Sequence, residues 1–320
     1  MECMKAMIIT GFGGPEVFQA REMPKPTPEA DEVLVRVYAS SINPVDYKIR
    51  QAGSWAGVQP PAIIGYDVSG VVEEVGASVK DFKVGDEVYY TPDIPGRGGS
   101  YAEYHVAREA IVAHKPKNLS HLEAASIPLA GGTAWDALIT RAQLRPAETV
   151  LIHGGTGGVG SLAVQIAHAT GAYVFTTCSS KNAELAKQLG ADRVIDYKTE
   201  NYVDVIAKET NGRGVDVVFD TVGGETIANS IAATKMYSRM VSVVDIAGNT
   251  YPAFLKNITL HYLFLQRERY KLDYLRNLLE GGKIKPVIAK VMPLEEVAQA
   301  QRELEQGGVA GKIVIQVVKN

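Results

Sequence analysis

The chain has 320 residues, of which 46% are hydrophobic and 22% are charged, and its formal net charge is −3. This length suits about two domains of ~150 residues each, and the small charge gives no reason to expect nucleic acid or an anionic membrane as a partner. No apolar stretch approaches the ~20 residues needed to span a bilayer, and the N-terminus leads into a strand-like segment, so we expect a cytoplasmic protein. Cys3 and Cys178 are too few for a disulfide framework or a cysteine-rich metal lobe.

The first ~125 residues contain short alternating apolar runs separated by glycine and proline, a pattern that predicts a compact antiparallel β domain. The clearest runs cover residues 31–38, 67–75 and 86–90. Ser120 with Glu123 three positions later is a capping-box pattern and predicts that a helix begins there.

From Thr149 onward, strand and helix patterns alternate, which predicts an α/β fold with a doubly wound parallel sheet. The predicted strands cover residues 149–153, 172–177, 193–195, 215–220, 239–244 and 258–265. The last ~50 residues predict helices over 271–280 and 294–304 and a strand over 311–318. We expect this tail to return to the first domain, so that residues 1–127 and 268–320 form one discontinuous domain around a dinucleotide-binding domain of residues 128–267. A substrate cleft is then expected between the two domains.

The first of these strands runs into a turn with five glycines in seven residues, 154–160. Gly155, Gly157 and Gly160 fit the dinucleotide fingerprint, in which the glycines permit a tight turn, close approach of a pyrophosphate and helix–strand packing. A flexible loop would also be rich in glycine, but the flanking βαβ pattern favours the cofactor site. The turn and the helix start that would bind the cofactor also include Thr156, Gly158 and Val159.

The turn after the second strand favours NADPH over NADH. An NAD site usually has an acidic residue ~20 residues beyond the glycines, whereas this turn has Ser179, Ser180 and Lys181 and no acid. Hydroxyls and a cation suit a 2′-phosphate. Alternatively, the two serines cap the helix that follows.

Several motifs in a fixed order resemble the medium-chain dehydrogenase/reductase superfamily, and within it the zinc-independent quinone oxidoreductase branch. They lie at residues 43–46, 65–72, 83–88, 99–104, 130–135 and 311–314, together with the glycine turn, and cover nearly the whole chain. The resemblance implies a central Rossmann domain and a discontinuous, β-rich GroES-like catalytic domain.

The resemblance also implies that no metal is bound. Where a zinc-dependent member has its first cysteine ligand the chain has Asn43, and in place of Gly-His-Glu it has Gly65-Tyr66-Asp67. None of the six histidines forms a close pair with metal-ligand spacing. An alcohol dehydrogenase with an unexpected zinc site remains the rival enzyme.

On the same grounds the chain is expected to reduce quinones or α,β-unsaturated carbonyl compounds with NADPH. Asn43, Tyr47 and Tyr66 are expected around the acceptor's oxygen, although Asn43 could instead be a turn residue before Pro44 and the two tyrosines could be cleft walls. Asp46 is interpreted as structural. Further cofactor contacts implied by the resemblance are Thr133, Tyr197, Val222, Gly223, Val244 and Lys312, the last reaching over from the other domain. An NADPH-binding protein with a regulatory or structural role is the non-enzymatic alternative.

The apolar segment of residues 260–265 is expected to form the sixth strand, at the edge of the parallel sheet. In the family this edge joins two subunits, so we expect a homodimer. Burial under the helix near residue 271 would explain the same residues.

Overall fold

The structure is a computed structural model that describes residues 2–318. In chain order the strands are β1 (Cys3–Ile9), β2 (Phe18–Pro24), β3 (Glu32–Ser41), β4 (Ala62–Ile63), β5 (Val68–Val75), β6 (Glu87–Tyr90), β7 (Tyr104–Arg108), β8 (Ala113–His114), β9 (Thr149–His153), β10 (Tyr173–Cys178), β11 (Arg193–Asp196), β12 (Val215–Asp220), β13 (Thr234–Ser242), β14 (Thr259–Tyr262), β15 (Ile288–Pro293) and β16 (Lys312–Gln316). The helices are α1 (Pro44–Ala52), α2 (His121–Ala124), α3 (Pro128–Trp135), α4 (Gly158–Thr170), α5 (Ala183–Gln188), α6 (Tyr202–Glu209), α7 (Thr226–Ser230), α8 (Tyr251–Leu255), α9 (Arg269–Glu280) and α10 (Val297–Gln306).

The chain folds into two compact units. The first is made of the chain up to Ala130, Gln266–Gly281 and the chain from Pro286 onward, and the second is made of Gly131–Leu265 and Gly282–Lys285. The predicted domain boundaries, after residues 127 and 267, remain a proposal.

The second unit contains a six-stranded parallel sheet in the order β11-β10-β9-β12-β13-β14. Its chain order places the first strand in the middle and reverses direction between β9 and β12, which is the dinucleotide-binding arrangement. Apolar side chains of the strands and helices pack against each other, among them Leu151, Phe175 and Val218, each no more than 1% exposed. The predicted doubly wound parallel sheet is confirmed.

The first unit contains a seven-stranded sheet, β15-β16-β3-β5-β6-β8 with β7 also paired to β3, and a three-stranded sheet, β2-β1-β4. Among the described strands of this unit, β15 and β16 are the only parallel pair. β3 is the centre of this unit, because β16, β5 and β7 all pair with it in antiparallel register. The predicted antiparallel, β-rich domain is confirmed.

The predicted bounds of some strands and helices differ from those in the structure. The predicted strand over residues 239–244 is wrong in its bounds, because β13 starts at Thr234 and ends at Ser242. Its first half does not alternate in burial and includes Tyr237 with φ of +59°, so no regular strand pattern could be read there. The helix predicted from residue 294 begins with a 3₁₀ turn before α10. The Ser120–Glu123 capping box is present as predicted at the start of α2.

Among residues 2–318, no helix has the length and hydrophobicity that crossing a membrane requires.

Candidate functional site

The glycine turn of the second unit connects β9 to α4. A Cβ on Gly155 would lie 1.8 Å from Thr176 Oγ1, and one on Gly160 would lie 2.1 Å from the carbonyl oxygen of Gly154, so no other residue fits at these two positions. Gly157 differs, because its φ is −75° and a Cβ there would have its nearest neighbour 3.4 Å away. The protein itself therefore gives no steric reason for glycine at position 157.

The N-terminus of α4 has no side-chain cap. Gly157 is the N-cap residue and supplies no hydrogen bond to the first helical N–H groups, those of Gly158, Val159 and Gly160. Such groups carry partial positive charge and bind phosphate. These N–H groups, together with the space beside Gly157, fit the pyrophosphate of a dinucleotide.

The turn after β10 contains the residues predicted to select the cofactor. Ser180 and Lys181 are exposed and Ser179 is half-buried. Ser179 is the N-cap residue of a 3₁₀ turn, Ser180–Asn182, that runs into α5, but its side chain makes no capping hydrogen bond, and the N-cap of α5 itself is Asn182. The alternative prediction, that the serines cap the helix, is therefore met by the position of Ser179 but not by a side-chain hydrogen bond.

Two residues that the sequence analysis missed shape this edge of the sheet. Asn182 Nδ2 donates to Thr156 Oγ1 over 3.3 Å and so links the second turn to the glycine turn. The buried carboxylate of Asp220 accepts from the N–H groups of Val222 at 2.9 Å and Gly223 at 3.1 Å, which fixes the loop after β12. In the sequence, Asp220 could have been recognised as an acidic residue at the carboxyl end of a predicted strand of the parallel sheet.

The other predicted cofactor contacts of the second unit also follow strand ends, with one exception. Tyr197, 58% exposed, follows β11; Val222, 61% exposed, follows β12; and half-buried Val244 follows β13. Because the strands are parallel, their carboxyl ends share one edge of the sheet. Thr133 is the exception and lies buried in α3.

In the first unit, pairing of strands brings together a buried polar cluster. Val314 of β16 pairs with Ser41 at the end of β3, and the Ile42 N–H donates to the Ile313 carbonyl over 2.9 Å. This pairing places Lys312, the first residue of β16, beside the start of α1.

Asp67 accepts most of the hydrogen bonds of this cluster. Its Oδ2 accepts from Ser41 Oγ at 2.6 Å and Asn43 Nδ2 at 2.7 Å, and its Oδ1 accepts from the Leu129 N–H at 2.8 Å. The Lys312 ammonium lies 3.5 Å from Oδ2. Neutral donors and one cation thus stabilise a carboxylate that is fully buried.

Asn43 and Asp46 lie at the N-terminus of α1, Asn43 as its N-cap residue. The Asp46 carboxylate accepts from the Asn43 N–H at 2.7 Å, as in a capping box, and from the Tyr101 hydroxyl at 2.6 Å. Burial raises the pKa of Asp46 to about 7, although Tyr101, the Asn43 N–H and Lys312 each act to lower it. The structural interpretation of Asp46 agrees with these bonds.

The two candidate tyrosines differ in accessibility. Tyr47 is half-buried on α1, whereas Tyr66 is only 3% exposed. Burial raises the pKa of both phenols; nearby Glu305 adds to the effect on Tyr47 and Asp46 to that on Tyr66, while Arg267 opposes the latter. Both therefore remain protonated hydrogen-bond donors at neutral pH.

The chain matches known proteins over nearly its full length. Residues 29–117 match the alcohol dehydrogenase GroES-like domain, and residues 189–315 match a family described as zinc-binding dehydrogenase. The chain is 41% identical to a 2-methylene-furan-3-one reductase of Solanum lycopersicum and 38% identical to a chloroplastic NADPH-dependent alkenal/one oxidoreductase of Arabidopsis thaliana, in each case over 98% of this chain and 79% of the relative. The structure superposes on a quinone oxidoreductase from Coxiella burnetii with a TM-score of 0.90 and 35% identity, covering 99% of this chain and all of the other.

A GroES-like unit combined with a Rossmann unit that has an open glycine turn defines an oxidoreductase that uses a nicotinamide cofactor. The chain belongs to the medium-chain dehydrogenase/reductase superfamily and to its quinone oxidoreductase-like branch, whose relatives include enone reductases.

Proposed function

We propose that the protein is an NADPH-dependent reductase that transfers hydride to quinones or α,β-unsaturated carbonyl compounds without zinc. The observation that carries the proposal is the glycine turn: the uncapped α4 and the free space at Gly157 have no use in the fold itself and fit a dinucleotide. The names of relatives 41% and 38% identical to the chain supply the class of acceptor.

NADPH is the proposed cofactor because the turn after β10 has hydroxyls and a cation and no carboxylate. Ser179, Ser180 and Lys181 would bind the 2′-phosphate, and the exposed ring of Tyr197 lies on the strand end beside them. The name of the Arabidopsis relative specifies NADPH. We extend the cofactor site to the remaining predicted contacts, Thr133, Val222, Gly223 and Val244.

The polar cluster of the first unit does not fit a catalytic zinc, even though one matched family is described as zinc-binding. Catalytic zinc requires three ligands drawn from cysteine, histidine and carboxylates. At the positions compared with metal ligands, the Lys312 ammonium bridges the amide of Asn43 and the carboxylate of Asp67, and its positive charge would repel a metal ion. Within residues 2–318, no three His, Cys, Asp or Glu side chains are grouped as a metal site would need.

Asn43, Tyr47 and Tyr66 are the residues that we propose for binding the acceptor. Hydride addition to a quinone or enone leaves negative charge on the acceptor's oxygen, and preorganised hydrogen-bond donors stabilise that charge. The amide nitrogen of Asn43 carries two hydrogens, of which Asp67 accepts one. Because the pKa of each phenol is raised, the tyrosines act as donors rather than as fast sources of the final proton, which we assign to water.

The test is NADPH oxidation by the purified protein with 1,4-benzoquinone, 9,10-phenanthrenequinone and a short alkenal, each with and without a chelator. We expect turnover that the chelator does not change. Loss of turnover with the chelator would favour a zinc enzyme. Tight NADPH binding with no turnover on any acceptor would favour a regulatory or structural protein.

A further inference from the structure

The Lys312 side chain is buried, 5% exposed, and its ammonium has an acceptor for each of its three hydrogens, all of them in the first unit. It donates to the Ile42 carbonyl at 2.8 Å and to Asn43 Oδ1, and lies 3.5 Å from Asp67 Oδ2. An ammonium has three donors and no further capacity. Its hydrogen bonds are therefore used next to Asn43, and none is left for a cofactor.

The amide of Asn43 is held by partners of opposite character. Its Oδ1 accepts from the Lys312 ammonium, and its Nδ2 donates to the Asp67 carboxylate over 2.7 Å. Turning the amide over would set an N–H against the ammonium and an oxygen against the carboxylate, which is unfavourable on both sides. The amide plane is thereby fixed, and with it the direction of the second Nδ2 hydrogen.

Burial increases the energetic cost of turning the Asn43 amide over. Asn43 and Asp67 are each no more than 1% exposed, so water does not screen the charges around the amide. Burial lowers the pKa of Lys312, and the carboxylates of Asp67 and Asp46 oppose that change. Ser41 Oγ and the Leu129 N–H complete the shell of Asp67, so the carboxylate cannot turn toward another partner without losing hydrogen bonds.

We propose that Lys312 is a positioning residue that aims the free amide hydrogen of Asn43 at the acceptor's oxygen, instead of being a cofactor contact. This inference rests on the proposed function, in which Asn43 stabilises the charge that develops during hydride transfer. A misdirected donor loses that stabilisation in the transition state while cofactor binding is unaffected.

The test compares Lys312→Met with wild type in two measurements: kcat for the alkenal at saturating NADPH, and the Kd for NADPH from fluorescence titration without acceptor. Methionine keeps an unbranched apolar stem but removes the ammonium. We expect kcat to fall about 10- to 100-fold, since losing one oxyanion donor costs on the order of 10²- to 10³-fold and a misdirected donor keeps part of its effect. The Kd for NADPH is expected to stay within about twofold of wild type.

Lys271→Met is the matched control. Lys271 is also a buried lysine of the first unit, 2% exposed, and its ammonium donates to the Gln266 carbonyl at 2.9 Å and pairs with Glu268 at 2.8 Å. Its loss removes a comparable buried charge away from Asn43, so it is expected to lower stability and leave kcat unchanged.

Three outcomes overturn the inference. An Lys312→Met protein with wild-type kcat, or one with a raised Kd for NADPH and unchanged kcat, shows that Lys312 does not position Asn43; the second would make it a cofactor contact. An equal fall of kcat in Lys271→Met would show a general structural effect. If Lys312→Met does not fold, Lys312→Gln replaces it: its amide is uncharged and can present its oxygen as well as its nitrogen to Asn43, so it does not fix the Asn43 amide. This variant is expected to show a fall of kcat at constant Kd, and wild-type kcat would refute the idea.

The activity of the wild-type protein distinguishes a failure of the positioning role from a failure of the proposed function. A wild-type protein that binds NADPH but reduces no acceptor refutes both, whereas an active wild type with an equally active Lys312→Met refutes the positioning role alone.

Discussion

Lys181 is an exposed cation in the turn after β10, beside the hydroxyls of Ser179 and Ser180. If it neutralises the 2′-phosphate, Lys181→Met should lower kcat/KM for NADPH about tenfold or more, the effect of one charge-assisted hydrogen bond, and leave that for NADH unchanged. Steady-state kinetics with both cofactors measure this. Lys187→Met, at an exposed position on α5, is the control. An equal loss with NADPH and NADH would contradict the assignment.

Asp46 makes stability depend on pH. It is fully buried, its Oδ1 has no hydrogen-bond partner in the described part of the chain, and burial raises its pKa to about 7. The unfolded carboxyl has a pKa of about 3.9, so between pH ~4 and ~7 the folded state holds a proton that the unfolded chain has lost. The contribution of Asp46 to the free energy of unfolding is therefore fully present below about pH 4 and is lost as the pH rises through about 7.

Asp46→Asn should remove that dependence, because the amide oxygen can still accept from Tyr101 and the Asn43 N–H while nothing titrates. Between pH 5 and pH 8 the free energy of unfolding of wild type should fall by about 2–3 kcal/mol more than that of the variant. Urea unfolding at the two pH values measures the difference, with Asp204→Asn, at an exposed position on α6, as the control. Parallel pH dependence in wild type and Asp46→Asn would show that Asp46 is ionised throughout.

At the scale of elements, the glycine turn has two positions, Gly155 and Gly160, where the fold requires glycine, and one, Gly157, where only cofactor binding would require it. Gly157→Ala meets no steric conflict within the protein, so the melting temperature should stay near that of wild type. The added methyl group occupies space that we assign to the pyrophosphate, and NADPH affinity should fall at least about tenfold. Isothermal titration and thermal melts measure both. Gly11→Ala, where a Cβ has no neighbour within 4 Å, should change neither; unchanged NADPH affinity in Gly157→Ala would contradict the cofactor site.

Elements with a regular pattern were predictable and irregular ones were not. β9 and β12 were predicted with their exact bounds, because each is a short run rich in β-branched and aliphatic residues that ends in a turn. The predicted strand that corresponds to β13 started too late, because at the beginning of β13 Tyr237 has a left-handed backbone and burial does not alternate. The 3₁₀ turn before α5 was missed for the same reason: three residues are too few to show a period.

At the scale of the whole molecule, the sequence could identify the members of the polar cluster but not their contacts. Lys312 is 269 residues from Asn43 and 245 from Asp67, and no local pattern connects them. The pairing of β16 with β3 brings them together, and this is a property of the folded sheet. For this reason, local sequence patterns could not predict the contacts of Lys312 with Asn43 and Asp67.

Assembly is a second property of the whole molecule. β14 ends the parallel sheet, paired with β13 alone among the described strands, and Tyr262 on it is 71% exposed. An exposed edge of this kind pairs readily with another strand, and we propose a homodimer. Wild type should sediment at twice the mass of the 320-residue chain. Tyr262→Lys should shift it toward monomer, while Tyr274→Lys on α9 should not; a monomeric wild type would refute the proposal.

The most direct test of the central claim is the transfer of the hydride itself. NADPH carrying deuterium at both nicotinamide C4 positions is mixed with but-3-en-2-one, the protein and a chelator, and the product is analysed by mass spectrometry and NMR. We predict butanone with one deuterium on the carbon β to the carbonyl, and hydrogen from solvent on the α carbon. NADPH binding without labelled butanone would contradict hydride transfer to an activated alkene, and labelled butanone formed only when the chelator is omitted would contradict a reaction without metal.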